Sequence, residues 1–270
     1  MNRVILITGA SSGMGKTTAE LLLKKGYTVY GAARRTEKMN GLIQAGAKIL
    51  SMDVTDENSV LFGIEEIIKN EGRIDILINN AGFGLYGAIE DVAMKDAKYQ
   101  MDVNVFGLAR LTQLVLPYMR KQASGKIVNI SSIGGKLANP LGGWYHASKF
   151  ALEALSDSLR MEVKQFGIDV IIIEPGGIKS EWSDIAMKHA KDVSQNGAYG
   201  EMVKKMIETG EKFKDKNAEP DVIANLIVKA ITTKRPKARY TGGFMAKQLL
   251  FIRKILSDRQ WDKMILDQFR

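Results

Sequence analysis

The sequence predicts a doubly wound α/β fold, with a parallel sheet of about seven strands covered by helices on both faces. Three observations carry that expectation. Short apolar runs such as Val4-Ile5-Leu6-Ile7 and residues 74–78 lack the alternation of a half-exposed strand, so they read as strands buried on both faces. Helical patterns separate these runs at the spacing of right-handed βαβ units. A glycine-rich turn, Thr8-Gly9-Ala10-Ser11-Ser12-Gly13-Met14-Gly15, joins the first run to the first helical pattern.

Taken in order, the strand at 4–7 ends at Gly9, and a helix over 14–25 carries Ala19, Leu22 and Leu23 before stopping at Gly26. Strands follow at 28–32 and 48–52, then a helix at 58–69 and a strand at 74–78. A long helical pattern spans 95–120 and is interrupted only near Pro117. Next come a strand at 126–130, a helix at 145–165 and a strand at 169–173. The stretch 179–217 is polar and Lys-rich with no buried strand, and reads as a helical insertion over the ligand end of the sheet. Glu219-Pro220-Asp221 opens a helix over 222–231, and 237–240 is the last strand. An amphipathic basic helix at 244–256 and a further helix at 259–269 complete the chain. Residues 1–270 are therefore expected to form one domain, with 179–217 as a lid and 241–270 as a basic helical C-terminal extension; the length suits one well-buried core.

Hydrophobic residues at 45% and charged residues at 26% fit an ordinary globular protein rather than a disordered or membrane-embedded one. The absence of Cys excludes disulfides and thiolate chemistry and fits a reducing cytoplasm. With only His146 and His189 besides, no transition-metal site is expected. The net charge of +9 is uneven: Lys234 to Arg270 holds ten basic and three acidic residues, leaving 29 against 27 elsewhere. Such a tail can mark contact with nucleic acid or an anionic membrane, but a plain solvated surface is the usual explanation. No nucleic-acid partner is expected. Met1-Asn2-Arg3 leads directly into the first strand, so no signal peptide is expected, and no apolar run approaches the ~20 residues that span a bilayer.

Ligands of such sheets lie beyond the carboxyl ends of the strands, and the chemistry-bearing residues gather there. Gly9, Gly13 and Gly15, with Ser11, Ser12 and Met14 between them, allow a tight turn and a close backbone approach to a pyrophosphate at a helix N-terminus. The second strand ends in Arg34 and Arg35 where an acid would hold an NAD ribose, so this end suits the 2′-phosphate of NADP, although Glu37 lies nearby. Asp53-Val54 closes the third strand, where the carboxylate could accept from an adenine amino group or cap the next helix. Asn79-Asn80-Ala81-Gly82 closes the fourth, where asparagines can brace strands and Gly82 permits close approach. Tyr145 and Lys149, four apart, share one helix face if the segment is helical. With 8 Tyr in the chain, roughly one such pair is expected by chance, so its weight comes from its setting. An ammonium beside a phenol is expected to lower the phenol pKa and prepare it for proton transfer.

In combination, Thr8 to Gly15, Asp53-Val54, Asn79 to Gly82, Asn104, Ser132, Tyr145 with Lys149, and Pro175-Gly176 resemble the short-chain dehydrogenase/reductase family over residues 3 to 240. The resemblance implies a Rossmann-like sheet and an NADP(H)-dependent oxidoreductase, with NAD(H) as the second choice of cofactor. It implies that Tyr145 is the general acid/base, that Lys149 holds the nicotinamide ribose, that Ser132 binds the substrate oxygen and that Asn104 holds a water linked to Lys149. It further implies that Pro175, Gly176, Ile178 and Ser180 pack on the nicotinamide, with Ile178 bonding the carboxamide through its backbone. A homodimer or homotetramer is the expected assembly.

The loops 83–86 and 133–144, with Trp182, Ile185 and Met187, are apolar or aromatic and suggest a hydrophobic ketone or alcohol. Glu174 to Ile178, Arg239-Tyr240-Thr241-Gly242 and Ser257-Asp258-Arg259 are similar to steroid- and retinoid-type members. The alternative to an enzyme is a cofactor-binding regulatory or scaffold protein on the same fold. The amphipathic 244–256 helix, with Phe244, Leu249, Phe251, Ile252 and Leu256 among Lys247, Arg253 and Lys254, is expected either to close the pocket or to touch a membrane surface.

Overall fold

The computed structural model describes residues 3–269. Its sheet is wholly parallel, in the order β3-β2-β1-β4-β5-β6-β7. The strands are β1 (Val4–Thr8), β2 (Thr28–Ala33), β3 (Lys48–Ser51), β4 (Ile76–Asn79), β5 (Gly125–Ile130), β6 (Ile168–Pro175) and β7 (Arg239–Gly242). The chain winds outward through β2 and β3, then returns across β1 to start β4 on the other side. That reversal opens a crevice at the carboxyl ends of β1 and β4.

Both faces of the sheet are covered, which explains the unbroken apolar runs. Ile5 and Ile7 of β1 point into one core with Ala19 and Leu22 of α1 (Gly13–Lys24), Leu42 of α2 (Asn40–Gln44), and Ile223 and Ile227 of α9 (Pro220–Thr232). Val4 and Leu6 point the other way. There they meet Val60 and Ile64 of α3 (Glu57–Glu71) and Leu111 and Val115 of α5 (Leu108–Lys121). Asn79 braces the sheet at its carboxyl edge, donating to Asn129 Oδ1 of β5 at 2.9 Å and to Thr112 Oγ1 of α5 at 3.2 Å.

The long pattern at 95–120 is interrupted, though not at Pro117. It comprises α4 (Met94–Met101), a π-helical turn over Asp102–Gly107, and α5, which runs through Pro117. The proline is tolerated because it and Gln113, whose carbonyl it leaves unbonded, both lie on the exposed face, where water can serve. The insertion forms α7 (Glu181–Ser194) and α8 (Gly200–Phe213).

The C-terminal extension forms α10 (Ala246–Ile255) and α11 (Asp258–Leu266). The first of these starts two residues later than expected. Phe244 is engaged in a bridge with Gly177, and Met245 takes a left-handed conformation (φ 54°) that admits the helix. Among the described residues, no helix is long and apolar enough to cross a membrane.

Candidate active site

A cavity of about 760 Å³ occupies the crevice, and most of the residues singled out from the sequence line it. At one end are Gly9, Ser11, Ser12, Gly13 and Met14 of the glycine-rich turn. Gly9 (φ 67°) and Gly13 (φ 52°) take the left-handed conformation the turn requires. Gly15 does not line the cavity. A Cβ there would lie 2.3 Å from the Gly9 carbonyl, so this glycine lets α1 pack under the turn. Asn80 Nδ2 ties the turn to β4 by donating to the Thr8 and Gly9 carbonyls at 2.9 and 3.2 Å. Ala81 and Gly82 continue the wall.

Arg34 and Arg35 stand at the outer end with Asp53 and Val54. Arg34 donates to the Tyr99 hydroxyl at 2.6 Å and lies 3.8 Å from Asp53, while Arg35 lies 3.5 Å from Glu181 at the start of α7. Asp53 itself secures the turn, accepting from the Thr55 amide and hydroxyl at 3.0 and 2.8 Å. The cap of α3 is Asp56 instead, which accepts from the Ser59 amide. Asp53 is thus left at the cavity wall.

Ser132, Tyr145 and Lys149 converge at the inner end. The first turn of α6 (Gly143–Glu162) places Tyr145 and Lys149 on one face, and the Tyr145 hydroxyl bonds Ser132. Lys149 Nζ lies 6.0 Å from the centre of the Tyr145 ring and donates to the Ile130 carbonyl at 2.9 Å. The expected lowering of the Tyr145 pKa is not found. Burial pushes it up to about 12, against a smaller downward pull from Ser132. Burial likewise brings Lys149 down to about 8, with Glu153 pulling it upward. The ammonium is turned to a backbone carbonyl, and for both groups desolvation is the largest influence.

Asn104 lies behind the wall, 1% exposed, in the π-helical turn. Its amide donates to the Phe83 carbonyl at 2.8 Å and to Ser148 Oγ at 3.0 Å, and its oxygen accepts from the Phe83 amide at 3.1 Å. Pro175, Gly176, Ile178 and Ser180 also line the cavity. The bridge from Ile178 to Ala218 uses the Gly177 carbonyl and the Lys179 amide. In an extended segment this leaves the Ile178 amide and carbonyl on the opposite, cavity edge.

The substrate end is aromatic. The Tyr145 ring is 4.9 Å from Trp182 and 5.8 Å from Tyr86, and Phe83, Ile133 and Ile185 also contribute to the lining. Met187 and Trp144 do not; Met187 packs on α8 beside Gly210. The sequence reading missed Tyr99, Glu181, Trp261, Ile265 and Gln268, all of which line the cavity. Only Trp261 and Ile265 had an available signal, the apolar spacing of α11. Leu249 of α10 also lines it.

The described part of the chain from residue 3 to 191 matches the family model of the short chain dehydrogenases. The chain belongs to the short-chain dehydrogenase/reductase family. It is an oxidoreductase of that type with the family's Rossmann fold. It is 39% identical over 249 residues to a 3-ketodihydrosphingosine reductase of Bacteroides thetaiotaomicron, covering 92% of this chain and 90% of that one. It is 34% identical over 273 residues to an NADPH-dependent 3-dehydrocapnine reductase of Ornithobacterium rhinotracheale, covering 97% and 95%. A crystal structure of a short-chain dehydrogenase from Streptomyces avermitilis superposes with a TM-score of 0.81 at 34% identity, over 98% of this chain and 97% of that one.

Proposed function

We propose that this protein is an NADP(H)-dependent reductase of a ketone carried on a long, hydrophobic substrate. The observation that carries this reading is the Ser132–Tyr145–Lys149 cluster at the foot of a cavity with an aromatic and aliphatic far wall. The 3-ketodihydrosphingosine reductase and the NADPH-dependent 3-dehydrocapnine reductase among the relatives favour the same chemistry.

The residues present fit the dinucleotide. Gly9, Ser11, Ser12, Gly13 and Met14 form a backbone cradle at the N-terminus of α1, whose first turn has no acid. Arg34 and Arg35 would hold the 2′-phosphate, Asp53 and Val54 the adenine, and Asn80, Ala81 and Gly82 the central portion. Lys149 would hold the nicotinamide ribose, and Pro175, Gly176, Ile178 and Ser180 the nicotinamide. When bound, the cofactor supplies hydride to the carbonyl carbon. Tyr145, still protonated at neutral pH, donates its proton to the carbonyl oxygen while Ser132 donates a hydrogen bond to the same oxygen. Lys149 would return a proton to Tyr145, and Asn104 would hold a water that links Lys149 to solvent.

The test is loss of NADPH absorbance with 3-keto long-chain lipids and short ketones, with NADH in parallel. Turnover should be greatest with the long chains, and Tyr145→Phe should lose about 10²–10⁴-fold. Near-zero turnover in both proteins across the panel would leave the scaffold role standing. Arg35→Ala should raise the NADPH KM roughly tenfold with little effect on NADH, since a lost charge-assisted bond costs about 1.5–3 kcal/mol. An equal effect on both cofactors would remove the 2′-phosphate assignment.

The same reading includes two surfaces. Phe251 (65% exposed) and Ile255 (61%) stand beside the exposed Lys247 and Lys254 on α10, a pattern suited to an anionic lipid surface near the source of such a substrate. Co-sedimentation with anionic vesicles at low salt, abolished by Phe251→Asp, supports this contact, and no binding ends it. Exposed Phe106 and Phe150 suit a homodimer or homotetramer, which light scattering would detect.

A further inference from the structure

One turn beyond Lys149 on α6 stands Glu153, 3% exposed. Its Oε2 accepts from Arg239 at the start of β7, at 3.0 Å from Nε and 2.8 Å from Nη2, and lies 2.9 Å from Lys136 Nζ in the loop after β5. Arg239 also reaches Asp157 at 2.7 Å and Glu174 at 3.4 Å. Arg160 holds Asp157 at 2.8 Å, and Thr241 donates to Glu174 at 2.6 Å. The charges gathered around this part of α6 are therefore Lys136, Lys149, Arg160 and Arg239 against Glu153, Asp157 and Glu174. The remaining neighbours of Lys149 are Tyr145, the Ile130 carbonyl and the Gly82–Asn104 wall, and none of them brings an anion at neutral pH.

Glu153 is not arranged as an ordinary structural ion pair. Both cations crowd onto Oε2, while Oε1 is buried without a hydrogen-bond partner, as is the nearby Ser131 Oγ. A buried carboxylate oxygen left without a hydrogen bond is costly, and its persistence calls for an explanation. Lys149, four residues away on the same helix and only 6% exposed, is the group that gains from it.

We infer that Glu153 is a positioning residue that keeps Lys149 in its charged form, and that Arg239 and Lys136 limit how strongly it does so. The inference rests on the role given to Lys149 above. It turns the ion pairs at β7 and in the loop after β5 into a setting of the working pH range. Removing the carboxylate lets the Lys149 titration fall, whereas removing either cation frees the carboxylate and lets it rise.

The test is an NMR titration of labelled lysine side chains in the full chain without cofactor, with the Lys149 signal assigned by its loss in Lys149→Met. Glu153→Gln should move the titration down by about one unit or more, and Arg239→Met should move it up. Lys136→Met should also move it up, and its half-exposed position makes it the variant least disturbing to the fold. The alkaline limb of kcat/KM for NADPH-dependent reduction should move in the same opposite directions, with Glu153→Asp restoring much of the loss. A purely structural network would lower activity and stability in all the variants while the titration stays put. An unmoved titration, or shifts of the same sign in Glu153→Gln and Lys136→Met, overturns the inference. A wild-type protein that turns over no ketone would sink the reductase reading instead, and the titration would still decide the role of Glu153.

Discussion

Tyr145 and Lys149 are both driven by burial toward their neutral forms, with opposite consequences for pH. For Tyr145, held at about 12 against 10.0 for a free phenol, the folded state keeps its proton longer, so stability falls as pH rises between those values. For Lys149, at about 8 against 10.5, the unfolded state binds the proton more tightly, so stability rises with pH across that window and the cost is fully present below it. Lys149→Met removes the charge and keeps most of the stem, at the expense of a bond to the Ile130 carbonyl. It should therefore stabilise the protein at pH 7 by on the order of 1–3 kcal/mol while abolishing reduction. Denaturant unfolding should show the gain shrinking from pH 8 to 10.5; a gain that does not depend on pH would refute the assignment of its cause. The spacing of Tyr145 and Lys149 could be read from the chain because four residues on a helix fix a shared face. Their titration could not, because it depends on burial and on Ser132 and Ile130, which are brought up by β5 and the loop after it rather than by sequence proximity.

Between residue and fold stands the π-helical turn over Asp102–Gly107, the element least visible in the sequence. Its apolar pattern reads as one continuous helix, and Pro117 offered a misleading breaker. The extra residue in the turn directs Asn104 into the Phe83 backbone, and the turn ends where Gly107 passes the Val54 loop. A Cβ on Gly107 would lie 2.5 Å from the Val54 carbonyl, a backbone atom that cannot swing aside. Gly107→Ala should push the helix away from that loop, costing about 1–3 kcal/mol, and should weaken cofactor binding by displacing Val54. Unfolding curves with an unchanged slope but a lower midpoint, together with NADPH fluorescence titration, would check both effects. Wild-type affinity in a destabilised protein would separate this turn from the site. By contrast, β1, β4 and β6 were legible from the apolar runs at 4–7, 76–78 and 170–173, because strands covered on both faces leave no polar position there to confuse the pattern.

Across the whole molecule, the sheet supplies the floor of the cavity and two late parts of the chain supply its cover. Trp182 comes from the insertion, and Leu249, Trp261 and Ile265 come from the C-terminal extension. These are the parts where sequence reading stopped short, since which apolar side chain faces a ligand depends on how the helices dock rather than on their own periodicity. Trp261 is the fastening point of the extension. It is 4% exposed, packs with Leu137 and Ile265, and donates through its indole to the Ala138 carbonyl at 3.1 Å. Truncation of a buried tryptophan costs about 3–5 kcal/mol. Here that loss falls on the docking of α11 against the loop after β5, through Leu137 and Ala138, more than on the sheet. Trp261→Ala should therefore release the C-terminal helices to limited proteolysis at a temperature where the sheet resists it. It should also raise KM for a long-chain ketone at least about tenfold, because the far wall of the cavity is lost, while kcat for a short ketone that reaches only Ser132 and Tyr145 stays within about twofold. If long and short ketones suffer alike, the extension supports the catalytic floor itself, and the division of the molecule into floor and cover is wrong.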